Sequence, residues 1–402
     1  MEKLAIDGGR PVRANVLGYG RQLIEDDDVA AVEAVLRSDW LTCGPATEAF
    51  ERDLATVTGA RFVTAVSNGT AALHVSCLAA GVGPGDEVIV SAITFAASAN
   101  CARYCGADVR FADIDPETWN LRPDEVRRLV TPRTKTVVAV DFGGVPTNLA
   151  EIRSICDEHG LVLIEDAAHS LGGLYRGRPI GSIADLTCFS FHPVKTVACG
   201  EGGAVATSDP ELARRVALFA KHGITHDSAQ FVEPDVGGWH YEQLELGYNY
   251  RMTDIQAALG SSQLAKLPRF AGRRRELVAF YNERFSEMPY VRFQRDDHPD
   301  ATVRHLYCLW FDTAALGTTR RFVYDALRAE GIGVNVHYLP VYRLPYYADL
   351  GYDPACCPEA NRYYEGAVTL PLHCRMSGDD AKDVVRAVEK VVGACRAGRE
   401  AL

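Results

Sequence analysis

The sequence predicts an α/β protein in which a large domain, built on a doubly wound mixed sheet, is followed by a smaller α+β domain. Three observations predict it. The 402 residues exceed what one hydrophobic core usually holds, so two packed domains are expected. From Asp27 to Leu267, short apolar runs alternate with helical patterns and close on Gly, Pro or Asp. After Pro268 that alternation gives way to a long charged helical pattern. The boundaries read from these changes are 27–267 for the large domain, and 1–26 with 268–402 for the small domain and its N-terminal arm.

Taken in order, Glu87–Val90, Val109–Asp113, Thr136–Val140 and Leu161–Ile164 read as strands buried along most of their length, because their apolar runs are continuous rather than alternating. Helices are expected over Glu151–His159 and Asp209–Lys221, each with a glycine close to its stop. The stretch from Thr225 to Gln243 contains Gly237-Gly238 and little periodicity, which predicts a long loop. In the C-terminal part, a helix runs to Arg284, a strand covers Tyr307–Phe311, a helix covers Arg320–Glu330, and an extended run follows Gly331-Ile332-Gly333. Val384, Val385, Val388, Val391 and Val392 fall on one face of a closing amphipathic helix over Asp379–Ala394.

Hydrophobic residues at 47% and charged residues at 24% are those of an ordinary globular protein. A formal net charge of −11 argues against a nucleic-acid partner, which needs a concentrated basic face to displace counterions. The one tight cationic run, Arg273-Arg274-Arg275, is read as a solvated helix face. No apolar stretch is long enough to cross a bilayer and no secretory signal opens the chain, so the expectation is a cytoplasmic protein without a membrane partner. The twelve cysteines are scattered without zinc-site spacing. They predict no metal centre and are read as small buried hydrophobes.

Three segments carry chemistry. In Ser190-Phe191-His192-Pro193-Val194-Lys195, a lysine lies between a strand-like run and the glycine-rich turn Gly200-Glu201-Gly202-Gly203. A desolvated ammonium at a strand end has the depressed pKa that a Schiff-base lysine needs. In Ile164-Glu165-Asp166-Ala167-Ala168-His169, an acid emerges from the end of an apolar strand, where burial costs free energy unless something cationic meets it. A protonated pyridine nitrogen would serve, and by itself Asp166 also reads as a metal ligand, a helix cap or a salt-bridge partner. His169 by itself reads as a satisfied hydrogen-bonding residue. In Ser67-Asn68-Gly69-Thr70-Ala71, a turn opens a helix whose unpaired N–H groups suit a phosphate, although an ordinary cap is the plainer reading. Phe95 follows another strand and is placed either to stack on a pyridine face or in the core. The order of the three segments makes the combination more specific than any member.

The segments Leu41–Pro45, Ser67–Leu73, Glu165–His169, Ser190–Gly203 and Leu246–Asp254 together resemble the DegT/StrS family of nucleotide-sugar aminotransferases, over nearly the whole chain. The resemblance implies a fold-type I transferase whose cofactor, pyridoxal 5'-phosphate, is carried as a Schiff base on Lys195. It implies that Asp166 holds the ring nitrogen, that His169 lies near the ring, and that Asn68, Gly69, Thr70 and Ser190 face the phosphate. It also implies a homodimer with shared active sites, the segment Gly247–Met252 reaching the neighbouring subunit so that Asn249 meets the phosphate there. Tyr19, Arg251, His337 and Tyr338 are assigned to the substrate, His337 reading equally as a core histidine. Tyr19–Gln22, Ser190–Lys195 and Trp239–Gln243 are similar to the pseudaminic-acid branch of that family. That likeness implies transfer of an amino group from L-glutamate to C4 of a UDP-linked 4-keto-6-deoxy-N-acetylhexosamine. Cys43 and Gly143-Gly144 depart from the branch pattern.

Other readings are an aminotransferase for another UDP- or dTDP-linked keto-sugar and a dehydratase of the same family, which Lys195 opposes because that branch has histidine there. A non-catalytic regulator lacks a DNA-binding helix pair, and a nicotinamide enzyme lacks Gly-x-Gly-x-x-Gly after a strand.

Overall fold

A computed structural model of the chain describes residues 2–234 and 236–400. The apolar runs form one seven-stranded sheet from β1 (Phe62–Val66), β2 (Glu87–Ser91), β3 (Asp108–Ala112), β4 (Thr134–Val140), β5 (Val162–Asp166), β6 (Leu186–Ser190) and β7 (Gly203–Thr207). Their order is β1-β7-β6-β5-β4-β2-β3. The pairings among β6, β5, β4, β2 and β3 are parallel, whereas β7 is antiparallel to both β6 and β1. The sheet is therefore mixed, as expected.

Successive side chains of a strand point to opposite faces, and here the two faces feed separate cores. Val88, Val90, Val138 and Ile164 pack in one; Ile89, Val137, Ala139 and Leu163 pack in the other. Burial on both faces is why these strands read as continuous apolar runs. Helices observed at Leu149–His159 and Pro210–Ala220 match the expected ones to within two residues, the first ending on Gly160 in the left-handed region (φ 65°).

A three-stranded antiparallel sheet, Val291–Phe293, Tyr307–Phe311 and Ala367–Leu370, forms later in the chain. Its core joins Tyr307, Leu309 and Phe311 to the five valines expected on one face of the last helix, which spans Gly378–Glu400. Leu4 and Leu17 enter the same core, and Glu330 accepts hydrogen bonds from the backbone of Ala5 and Val12. The Thr225–Gln243 stretch is mostly irregular and is pinned at its ends, where Ile224–Thr225 pairs with Glu242–Gln243.

Two expectations are corrected. Arg273-Arg274-Arg275 is no solvated face: Arg274 is 2% exposed, and its Nη1 donates to the carbonyl oxygens of Arg304, His305 and Leu372 at 3.0–3.3 Å. Arg273 and Arg275 likewise donate to Met376 O and Thr302 O. The guanidinium is tolerated there because it satisfies carbonyls that irregular backbone would otherwise leave buried and unpaired. Arg274→Ala is therefore expected to lower stability by more than about 2 kcal/mol in urea unfolding, since several buried acceptors lose their donor at once. The cysteines are all free thiols, but only eight are buried; Cys43 and Cys356 are exposed, Cys374 and Cys395 half-buried.

Candidate active site

In parallel sheets, ligand sites form outside the carboxyl ends of the strands. Here those ends border a cavity of about 840 Å³ lined by Asn68, Gly69, Thr70, Phe95, Asp166, His169, Ser190 and Lys195. Tyr19, His337 and Tyr338 close it from segments near the second sheet. Of the residues expected at the site, Asn249 and Arg251 alone lie outside this chain's cavity. Arg251 Nε donates to Asn249 Oδ1 at 3.0 Å, and its Nη1 lies 3.7 Å from Cys43 Sγ.

Lys195 sits in the turn after β6, its backbone N–H bonded to His192 O at 2.8 Å. Burial pushes the ammonium down to about 8, against the pull of the Asp166 charge. About a tenth is then the free amine at pH 7, the form that attacks carbonyls and moves protons.

Asp166 is the last residue of β5. Its Oδ2 accepts from Ser98 Oγ at 2.6 Å and its Oδ1 from Ala168 N at 3.2 Å. Burial raises its pKa, opposed by the Ser98 hydrogen bond and by Lys195. The carboxylate has no ion-pair partner among the described residues, so a bound cation is what would complete it.

At the helix start that lines the cavity, Asn68 caps the helix Gly69–Ala79 through Ala71 N at 2.8 Å, which is the plainer role foreseen for it. Thr70 and Ser190 bring hydroxyls to the same wall. A side chain on Gly69 would stand 2.9 Å from Ser190 Cβ, so only glycine lets the helix start meet the end of β6 this closely. A capped helix start, two hydroxyls, an unpaired buried carboxylate and a deprotonatable amine fit pyridoxal phosphate: anion, ring nitrogen and aldehyde each find a complement. Phe95 is 61% exposed within this open cavity rather than in the core, its ring 6.2 Å from that of Tyr338.

His337 is 7% exposed, with Nδ1 2.8 Å from Thr369 Oγ1, so it is both a hydrogen-bonded buried histidine and a cavity-lining one. Burial and the Lys195 charge hold its pKa down to about 4. Tyr19 packs against it at 5.3 Å between ring centroids.

Sequence reasoning missed four groups. Ser98 lies one helical turn beyond Thr94, to whose hydroxyl it also bonds at 2.7 Å, and that spacing was the available signal. His305 lines the cavity with its ring 4.7 Å from His169, and nothing local marked it. Asp141 and Glu165 lie buried behind the Asp166–His169 turn. Asp141 accepts from Ser170 Oγ at 2.6 Å and Thr147 N at 2.9 Å, and burial pushes it up to about 6. Glu165 is raised well above its ordinary value by burial and by the Asp141 charge. No helix among the described residues is long and apolar enough to cross a membrane.

The model of the DegT/DnrJ/EryC1/StrS aminotransferase family matches residues 22–389. The chain belongs to this family. The spore coat polysaccharide biosynthesis protein SpsC of Bacillus subtilis (strain 168) is 41% identical over 384 residues, covering 94% of this chain and 98% of that protein. Among solved structures, the PLP form of the putative sugar aminotransferase Spr1654 from Streptococcus pneumoniae is 29% identical at a TM-score of 0.87, covering 94% of this chain and 99% of that one. PseC of Helicobacter pylori, an aminotransferase involved in pseudaminic-acid biosynthesis, is 28% identical at a TM-score of 0.86, covering 94% and 100%. DesI, solved in the presence of its TDP-sugar product, is 33% identical at a TM-score of 0.87, covering 99% and 97%. This DegT/StrS protein is thus a pyridoxal-phosphate-dependent sugar aminotransferase on the fold-type I scaffold.

Proposed function

We propose that the enzyme transfers the amino group of L-glutamate to C4 of a UDP-linked 4-keto-6-deoxy-N-acetylhexosamine, giving UDP-4-amino-4,6-dideoxy-N-acetyl-β-L-altrosamine. The observation that carries the chemistry is the desolvated Lys195 amine sharing one cavity with the unpaired Asp166 carboxylate and the Gly69–Ser190 cradle. The likeness of Tyr19–Gln22, Ser190–Lys195 and Trp239–Gln243 to the pseudaminic-acid branch, together with PseC among similar structures, supports the sugar.

Bound pyridoxal phosphate supplies an electron sink that acidifies the proton on the amine-bearing carbon. Asp166 would keep a proton on the ring nitrogen, and Thr70, Ser190 and the Gly69 backbone would hold the phosphate. Lys195 would hold the cofactor, and its free amine would take the proton from Cα of glutamate. In the second half-reaction the same side chain, in its protonated form, would deliver a proton to C4 of the sugar.

The reading includes a homodimer in which Asn249 and Arg251 serve the neighbouring subunit's cavity. Their position outside their own cavity supports it, as do the exposed apolar residues Leu246, close to them in the chain, and Trp40 and Leu41, whose segment is held beside theirs by the bond from Asp254 N to Leu41 O. A TDP-linked keto-sugar is the second reading, favoured by the 33% identity to DesI. Glutamate offered with a panel of UDP- and dTDP-linked keto-sugars decides between them. Turnover of the UDP-linked 4-keto sugar is expected, and exclusive turnover of a dTDP sugar would reverse the assignment.

A further inference from the structure

A hydrogen-bond chain of fixed polarity runs from the backbone of Gly143 to the cavity. Gly143 N–H donates to His169 Nδ1 at 3.3 Å, and His169 Nε2 lies 3.4 Å from Tyr338 Oη. A ring nitrogen that accepts a hydrogen bond carries no proton. Burial, with the Lys195 charge nearby, holds the His169 pKa well below its ordinary value, so the ring is neutral. Its single proton therefore sits on Nε2 and points at Tyr338 Oη. Burial raises the Tyr338 pKa, so the phenol keeps its own proton. With its oxygen already accepting from His169, Tyr338 has its O–H left to donate into the cavity it lines.

The backbone is built to hold this polarity. Gly143 has φ 66°, and a side chain there would come within 2.7 Å of Gln294 Oε1. Its carbonyl is clamped by His305 N at 2.9 Å and by the buried Arg304 Nε at 3.2 Å, while Arg304 Nη2 fixes Gln294 Oε1 at 2.6 Å. The peptide preceding this clamped carbonyl presents its N–H to the imidazole.

We propose that Tyr338 donates a hydrogen bond to the carbonyl oxygen of the keto-sugar, and that His169 and Gly143 are the positioning residues that set the direction of the donor. The proposal rests on the aminotransferase reading above. A donor aimed at the ketone oxygen polarises the C=O bond and makes its carbon more open to attack by an amine; this is where a preorganised hydrogen bond contributes most. It also states what the subsite selects: an oxygen acceptor, not a donor.

Two measurements test it on the full-length enzyme. In ¹⁵N-histidine NMR, the signal lost in His169→Gln is expected to be that of a neutral ring protonated at Nε2, and a ring protonated at Nδ1 or at both nitrogens overturns the polarity. In rapid-mixing experiments, Tyr338→Phe is expected to slow the keto-sugar half-reaction at least about tenfold more than the glutamate half-reaction. Equal slowing of the two halves, or none, overturns the assignment of Tyr338 to the sugar carbonyl. If the wild-type enzyme reacts with glutamate but with no keto-sugar, the sugar reading fails, whereas the His169 tautomer still decides the polarity.

Discussion

Lys195→Ala is expected to lower transamination by at least about 10⁴-fold, the scale on which removing a group that serves as both nucleophile and base is felt. The fold should survive. Burial holds the Lys195 ammonium down to about 8 in the folded protein against 10.5 for the free side chain. The folded state therefore binds fewer protons than the unfolded state between those values, and stability rises with pH across that window. Below it, the buried ammonium costs the cofactor-free protein on the order of 3 kcal/mol. Cofactor-free Lys195→Ala should then be at least as stable as wild type at pH 7, and should lack the gain in stability that wild type shows from about pH 8 to pH 10 in urea unfolding. A variant that unfolds and loses activity together would point to a structural lysine instead.

Asp166→Asn should lower kcat by about 10²–10⁴-fold while leaving the unfolding midpoint of the cofactor-free protein at or above that of wild type. The amide keeps the shape and can still accept from Ser98 Oγ, but it has no charge with which to hold a proton on a pyridine nitrogen. In the cofactor-free protein, burial raises the Asp166 pKa despite the Ser98 hydrogen bond and the Lys195 charge. Neutralising it removes a cost to folding. Opposite effects on activity and stability are what a functional group produces, and steady-state kinetics beside urea melts will show them. A structural acid would lose both.

Most of the fold was legible because its strands are buried on both faces. Val88-Ile89-Val90 and Leu163-Ile164 read as strands before their alternate side chains were seen to enter different cores. The five valines of the last helix were legible for a different reason: their spacing is a property of one helix face. Within the site, Lys195, Asp166 and Gly69 could be found because each sits where an apolar run ends in a turn. What escaped depends on residues far apart in the chain. Arg274 looked like a surface cation because local periodicity carries no information about the carbonyls of Arg304, His305 and Leu372. Glu165, beside Asp166, faces the other way along β5 and meets Thr187 Oγ1 at 2.9 Å. Ser98 and His305 join the site only through packing, and the identity of the sugar rests on side chains whose partners lie on the ligand.

The central claim is that Lys195 carries the cofactor, and peptide mapping after reduction tests it most directly. Borohydride treatment of the purified enzyme, which is expected to be yellow, followed by proteolysis and mass spectrometry, should place the reduced cofactor on the peptide containing Lys195, and Lys195→Ala should yield no labelled peptide. Label on any other lysine of wild type, or a colourless protein that takes up no pyridoxal phosphate, would contradict the account.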